Sequence, residues 1–206
     1  MARIVKKPDI RRAEIIQAAR QLFLSKDFAK TTMQDVMKHL DIAKGTIYHY
    51  FPSKDALLDA VVVTMVAERI AIMEAYLEET EGNALEKITK LVELGRMGED
   101  NPDLLASLHT PSNAAIHLRI LAESIALLAP LYEKIIRQGC QEGIFHTETP
   151  LECAEFILAG LQFLSDVGIY SWREATLKRR RLAFPRIIEQ QLRAPENSFA
   201  FLSNLI

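Results

Sequence analysis

The sequence predicts an all-α chain, and three observations carry that expectation. Apolar residues return at helical spacing from Ile15, Ala18, Ala19, Leu22 and Phe23 near the start to Phe184, Ile187, Ile188 and Leu192 near the end. Helix starts carry capping or proline patterns, and helix ends carry Pro52 or breaks such as Glu81-Gly82-Asn83. The stretch Thr31 to Lys54, TTMQDVMKHLDIAKGTIYHYFPSK, reads as two short helices joined by a tight turn and running into a longer third.

In chain order, Arg3, Lys6, Lys7 and Pro8 form a short basic arm. Asp9 is the expected cap of a helix running to about Ser25. Thr32 with Asp35 is a capping pattern that starts the next helix, with Val36 and Leu40 on one face. Asp41-Ile42-Ala43 makes the turn, and Lys44 to Phe51 follows as a compact helix. Its outer side carries Lys44, Thr46, Tyr48, His49 and Tyr50, while Ile47 and Phe51 point inward. Pro52 stops it and Ser53 caps the next helix.

That second helix, with Lys, Thr, aromatic hydroxyls and an imidazole outward, suits a helix-turn-helix entering a DNA major groove. Lys44 and Lys54 can reach phosphate, and Thr46, Tyr48 and His49 can touch base edges or the sugar–phosphate rim. A small helical bundle with a solvated polar face has the same spacing, so periodicity alone leaves both readings open.

The run KGTIYHYFPSKDALL, preceded by Thr31-Thr32 and an apolar helix with Leu22-Phe23, resembles the N-terminal domain of the TetR family of bacterial transcriptional regulators. The motif covers roughly the first quarter of the chain, and the remainder is similar to the family only in length and helical character. The resemblance implies a three-helix helix-turn-helix DNA-binding domain at 1–54, joined to a larger helical effector-binding and dimerisation domain at 55–206. The DNA contacts it implies, together with the helix's outward residues, are Arg11, Thr31, Thr32, Lys44, Gly45, Thr46, Tyr48, His49, Tyr50 and Lys54. Two positions depart from the family pattern: Asp27 and Asp41 stand where relatives usually carry Gly. Asp tolerates a left-handed backbone at some cost. Ala43 replaces the usual Ser cap, so Asp41 is the expected source of a capping oxygen.

Charge agrees with that division. Residues 1–54 hold 11 Lys/Arg against 5 Asp/Glu, a net +6, and the rest of the chain is net −8, although the whole is only −2. A basic front on an acidic body is the electrostatic footprint of a nucleic-acid module joined to something else. Cys140 and Cys153 have no partner at metal or redox spacing, which with no leader pattern points to a reducing cytoplasm. No apolar run is expected to span a bilayer, since Val61 to Ala67 is stopped by Glu68 and Arg69.

In the body, Ser53 to about Thr80 is one long helix with Leu58, Val61, Val62, Met65, Ile72 and Tyr76 as its stripe. Helices follow from Ala84 to about Gly98, briefly to His109, and from Pro111-Ser112-Asn113 to about Gln138, where Pro130 should kink or split the run. Pro150 opens a helix with two apolar sides: Ala154, Ile157, Leu158, Leu161 and Leu164 on one, Phe156, Ala159, Gly160, Phe163, Val167 and Tyr170 on another. A helix apolar on two sides must be covered on both, by the chain's own core and by a second copy, or else lie fully inside. The last helix, Trp172 to Arg193, carries the basic run Lys178–Arg181. The tail after Pro195, with Phe199, Phe201, Leu202, Leu205 and Ile206, should dock on the body or on a partner copy.

The five His residues belong to no nucleophile, zinc-helix or phosphate-loop motif, so no enzyme, cofactor or metal is expected. The resemblance implies an effector cavity, for which Met65, Arg69, Met97, His109, His117, Arg119 and Phe163 are the candidates. The functional expectation is a homodimeric repressor that binds a near-palindromic DNA operator through the front domain, pairs through the helices at about 151–171 and 172–193, and is released by a small molecule. An effector-independent or architectural DNA-binding protein is the alternative.

Overall fold

Thr32 shows how directly this sequence starts its helices. Its hydroxyl accepts from the Asp35 N–H at 3.2 Å, and the Asp35 carboxylate accepts from the Thr32 N–H at 2.7 Å, a reciprocal capping box. Asn83 and Glu86 repeat the device, the Glu86 N–H donating to the Asn83 side-chain oxygen and the Asn83 N–H to the Glu86 carboxylate. The Ser53 hydroxyl accepts from the Ala56 N–H at 3.1 Å.

The structure is a computed structural model that describes residues 7–97, 109, 113–168 and 170–204. Among these residues are eight α-helices and no strands: α1 (Pro8–Lys26), α2 (Met33–Leu40), α3 (Lys44–Tyr50), α4 (Lys54–Glu78), α5 (Ala84–Met97), α6 (Ala114–Gln141), α7 (Pro150–Ser165) and α8 (Glu174–Leu192). A 3₁₀ turn, Ala200–Asn204, follows. The all-α expectation holds. Arg3 and Lys6 of the basic arm, and the brief helix expected before His109, lie outside the described residues.

The chain divides into two compact units, one of Met1–Met65 with Asp103–Ile120, the other of Val66–Pro102 with Leu121–Ile206. The division at residue 54 followed the motif along the chain, whereas packing groups the first half of α4 with α1–α3. In the first unit Ile15, Ala19, Phe23, Val36, Ile47, Leu57, Leu58 and Val62 are almost wholly buried. The second unit has its own core, in which Met73, Leu91, Ile135, Ile136, Phe145, Leu158, Ile188 and Leu192 pack together.

Several elements differ from the sequence reading. Asp9 is not the cap of α1: Pro8 occupies the first turn with its φ already helical, the cap position falls on Lys7, and Asp9 lies within the helix. In α4, Ile72 and Tyr76 are exposed, and the buried line runs through Val66, Ile70 and Met73. Steps of three and four residues from Val62 lead to 66, 70 and 73, one position off the stripe drawn from Met65.

Pro130 does not split α6, which runs unbroken for 28 residues. That helix is long and apolar enough, by length and composition, to cross a bilayer, contrary to the expectation that no run would be. Its continuity past Arg119 and Glu123 creates the length, and Ala129, Leu131, Ile135 and Ile136 are buried within the second unit.

Gly139, near the end of α6, is required by packing. A Cβ there would come within 2.2 Å of the Phe145 ring.

Candidate nucleic-acid interface

The helix-turn-helix is assembled from buried anchors and an outward face. Ile47 is fully buried and Phe51 nearly so, which fixes the rotation of α3 about its axis. That rotation leaves Lys44, Gly45, Tyr48 and His49 exposed and Thr46 and Tyr50 half-buried. The Lys44 ammonium lies 5.7 Å from the Tyr48 ring centroid, within cation–π reach. His49 and Tyr50 meet edge to face at 5.1 Å. A Cβ added to Gly45 would touch nothing, so the outer surface of the first turn is open. The helix thus presents one cation, one aliphatic hydroxyl, two phenols and an imidazole on a short rigid rod, a set suited to phosphate and base-edge contact.

The turn before α3 bears out the reading of the two Asp substitutions. Asp41 is left-handed (φ 49°, ψ 50°), and Asp27 also has a positive φ of 67°. The Asp41 N–H closes α2 by donating to the Lys38 carbonyl at 3.4 Å. Asp41 does not cap α3, however. The cap position is Ala43, and no side-chain oxygen among the described residues accepts from the first turn.

Three of the expected DNA contacts turn out to be engaged elsewhere. Thr31 is fully buried, its hydroxyl donating to the Asp27 carbonyl at 2.8 Å, so its side chain is internal. The Lys54 ammonium donates to the carbonyls of Phe28 (2.6 Å) and Thr31 (2.9 Å) and lies 4.1 Å from the Phe28 ring. Partial burial pulls its pKa below the usual lysine value. Lys54 thereby clamps the α1–α2 turn. Arg11 pairs with Glu14 at 3.0 Å, while Arg12 is exposed with its guanidinium 5.4 Å from the Phe51 ring.

Thr32 is exposed, and its hydroxyl also donates to Asp35 at 2.6 Å. Those Thr32 bonds, with Lys26 at 2.9 Å, hold the Asp35 carboxyl well below the usual carboxylate range.

Sequence reasoning missed Asn113. It is fully buried, and its side-chain oxygen accepts from the Phe28 N–H at 2.8 Å across 85 residues of chain. The peptide groups of Phe28 are therefore held on one side by Asn113 and on the other by Lys54. No local pattern announces a contact of that sequence separation.

The expected effector residues do not gather within one unit. Met65, His109, His117 and Arg119 belong to the first, and Arg69 and Phe163 to the second. The side chain of Met97 lies outside the described residues. His109 and His117 meet edge to face at 4.9 Å. Arg119 pairs with Asp59, and Arg69 donates to the carbonyls of Leu94 and Gly95. Both arginines are thus engaged in holding helices.

On these elements the comparisons with known proteins are unambiguous. Residues 15–61 match the family described as bacterial regulatory proteins, tetR family, and residues 97–187 match the tetracyclin repressor-like C-terminal domain. The chain belongs to the TetR family.

It is 27% identical over 157 residues to the uncharacterized HTH-type transcriptional regulator YfiR of Bacillus subtilis, spanning 73% of this chain and 76% of that one. It is 38% identical over 52 residues to the regulator UidR of Escherichia coli, a match that spans only about a quarter of either chain. A TetR-family regulator from Pectobacterium atrosepticum superposes with a TM-score of 0.66 at 20% identity, covering 93% of this chain and all of that one. RolR without ligand superposes with a TM-score of 0.63 at 15% identity, covering 93% and 96%. At these identities the superpositions establish the fold. The protein is a TetR-family DNA-binding transcriptional regulator, as its relatives are named, and not an enzyme.

Proposed function

We propose that the protein is a homodimeric repressor that holds a near-palindromic operator through α3 of each copy and releases it when a small molecule binds the second unit. The observation that carries this reading is the outward face of α7 and α8. Phe156 is 69% exposed and Leu182 64%, Ile187 is also open to solvent, as are Val167 and Tyr170 between the two helices, and Leu164, expected on the core side of α7, is exposed as well. The opposite face of α7, through Ala154 and Leu158, is buried in the core. Of the two ways to cover a helix that is apolar on both sides, this exposure favours a second copy.

Exposed Glu152 and Glu155 on α7, and Lys178, Arg179 and Arg186 on α8, supply opposite charges for the rim of such an interface. The outer surface at Gly160 is open, which permits close helix approach. The basic run on α8 thus serves the interface and its own fold. Arg180 lies 3.9 Å from the Trp172 ring and donates to the Leu164 carbonyl at 2.6 Å.

Two-fold symmetry in the protein demands two-fold symmetry in the DNA site, with half-sites about one helical turn apart or a multiple of it. Lys44 contacts phosphate, Tyr48 and His49 face the groove, and Gly45 allows the backbone to approach. Such a protein works where the chromosome is, in the cytoplasm.

The test is fluorescence anisotropy with DNA upstream of the protein's own gene, at several salt concentrations and with unrelated duplex as competitor. The reading expects binding that survives competitor and weakens steeply with salt. Binding removed equally by any competitor would overturn it in favour of an architectural role.

A further inference from the structure

His109 and His117 lie outside the helix-turn-helix, yet both belong to the first unit. His109 precedes α6 and His117 sits in its first turns. Eight residues apart, they fall at no spacing that announces a metal-binding helix. The fold nevertheless brings their rings edge to face with centroids 4.9 Å apart. A ring nitrogen of one lies within 4.8 Å of a ring nitrogen of the other. His117 is only 7% exposed and His109 is half-buried, so one imidazole is sheltered while its neighbour stays within reach of solvent.

A neutral imidazole offers one nitrogen lone pair. Two such nitrogens on one tetrahedral ion, each bonded at about 2.0–2.1 Å, stand about 3.3 Å apart. Closing from 4.8 Å to that spacing asks for about 1.5 Å of movement at most, which rotation of the half-buried His109 side chain can supply. The nearest cation along α6 does not oppose an ion there, because the Arg119 guanidinium is directed to Asp59 and Asp55 of α4. Imidazole suits Cu²⁺, Ni²⁺ and Zn²⁺, whereas Mg²⁺ and Ca²⁺ take oxygen.

The place of the pair in the chain gives a bound ion a consequence. His109 and His117 stand four residues to either side of Asn113, whose side-chain oxygen accepts from the Phe28 N–H at 2.8 Å. An ion shared by the two imidazoles would restrict the segment that holds the α1–α2 turn. Binding to the folded arrangement alone then stabilises it by mass action.

We propose that His109 and His117 form a binding site for a divalent first-row transition ion, with water in the remaining positions, and that the bound ion steadies Asn113 against the α1–α2 turn.

The test is isothermal titration of the full chain, free of any histidine tag, with Ni²⁺ and with Mg²⁺ as the oxygen-preferring control. Ni²⁺ should bind saturably at one per chain, and Mg²⁺ should not bind. His109→Ala and His117→Ala should each weaken Ni²⁺ at least about tenfold, since even an outer-shell partner is worth that much to a metal site. The helical circular-dichroism signal should stay intact, and His109→Ala decides alone if the variant at buried His117 does not fold. Exposed His39, His49 and His146 and the two thiols offer other places for Ni²⁺. Wild-type affinity in folded His109→Ala would put the ion at one of those and overturn the site, as would the absence of saturable binding. Hydrogen exchange at the Phe28 amide should slow by up to about tenfold with free Ni²⁺ at ten times its dissociation constant, and not in His109→Ala. Unchanged exchange in the wild type would overturn the link to the turn.

Discussion

Two exposed surfaces of this molecule invite different partners. The outward face of α3 shows a cation, an aliphatic hydroxyl, two phenols and an imidazole around buried Ile47. The outward face of α7 and α8 shows Phe156, Leu182 and Ile187 ringed by charge. The first is well solvated alone and gains by trading water and counterions for phosphate and base edges, a gain that fades with salt. The second is poorly solvated alone and gains by excluding water, a gain that salt scarcely touches. The proposed function thus gives one chain a surface whose affinity is electrostatic and another whose affinity is apolar, and mutations should separate them.

The largest effect is expected at the apolar surface. Phe156→Glu puts a charge into the centre of the proposed interface once from each copy. Sedimentation should show the dimer's dissociation constant raised at least about 30-fold, the size of a hot-spot loss. Operator affinity should fall with it although α3 is untouched.

Next comes a control inside the second unit that leaves both surfaces alone. Gly139→Ala drives a methyl into Phe145 and should cost about 1–3 kcal/mol in denaturant unfolding. Subunit association should change only as far as stability does.

Asn113→Ala removes the oxygen that accepts from the part-buried Phe28 N–H, a cost of about 1 kcal/mol. Hydrogen exchange at the α1–α2 turn should rise. A turn that stays equally protected would show that Lys54 alone is enough to hold it.

The smallest effect is a pH dependence at the α2 cap. Asp35 is held below its ordinary value of 3.8 in the folded chain, so its contribution is present above that value and lost as pH falls below it. The stability difference between the wild type and Asp35→Asn, followed by thermal melts, should therefore be clear at pH 7 and shrink below about pH 4. A difference that stays constant would contradict the capping assignment.

What the sequence disclosed and what it concealed divide along the range of the interactions. Helix starts at Thr32, Ser53 and Pro150, the inward turn of Ile47 and Phe51, and the left-handed Asp41 are local matters settled within a few residues. The core side of α7 at Ala154 and Leu158 was legible from periodicity, although Leu164, expected on that side, is exposed. Contacts made within the fold by the expected site residues were not legible. Lys54 was expected to reach phosphate and Thr31 entered through the family resemblance, while within the fold their partners are the α1–α2 turn and the end of α1. Asn113 looked like a helix opener, and its actual bond spans 85 residues. Arg69 and Arg119 entered as candidates for the effector cavity that the resemblance implies, and both are engaged within the fold. The tail was recognisably apolar, and it docks on the second unit's core through Phe199 and Leu202.

The central claim is that DNA is read by α3 and pairing is done by α7 and α8. The most direct measurement compares Tyr48→Ala and Phe156→Glu on one operator duplex by anisotropy, with sedimentation run on the same samples. The account predicts that both lose specific DNA binding, that Tyr48→Ala remains a dimer and that Phe156→Glu becomes a monomer. A Tyr48→Ala protein that binds the operator as tightly as the wild type, or a Phe156→Glu protein that stays dimeric, would contradict it.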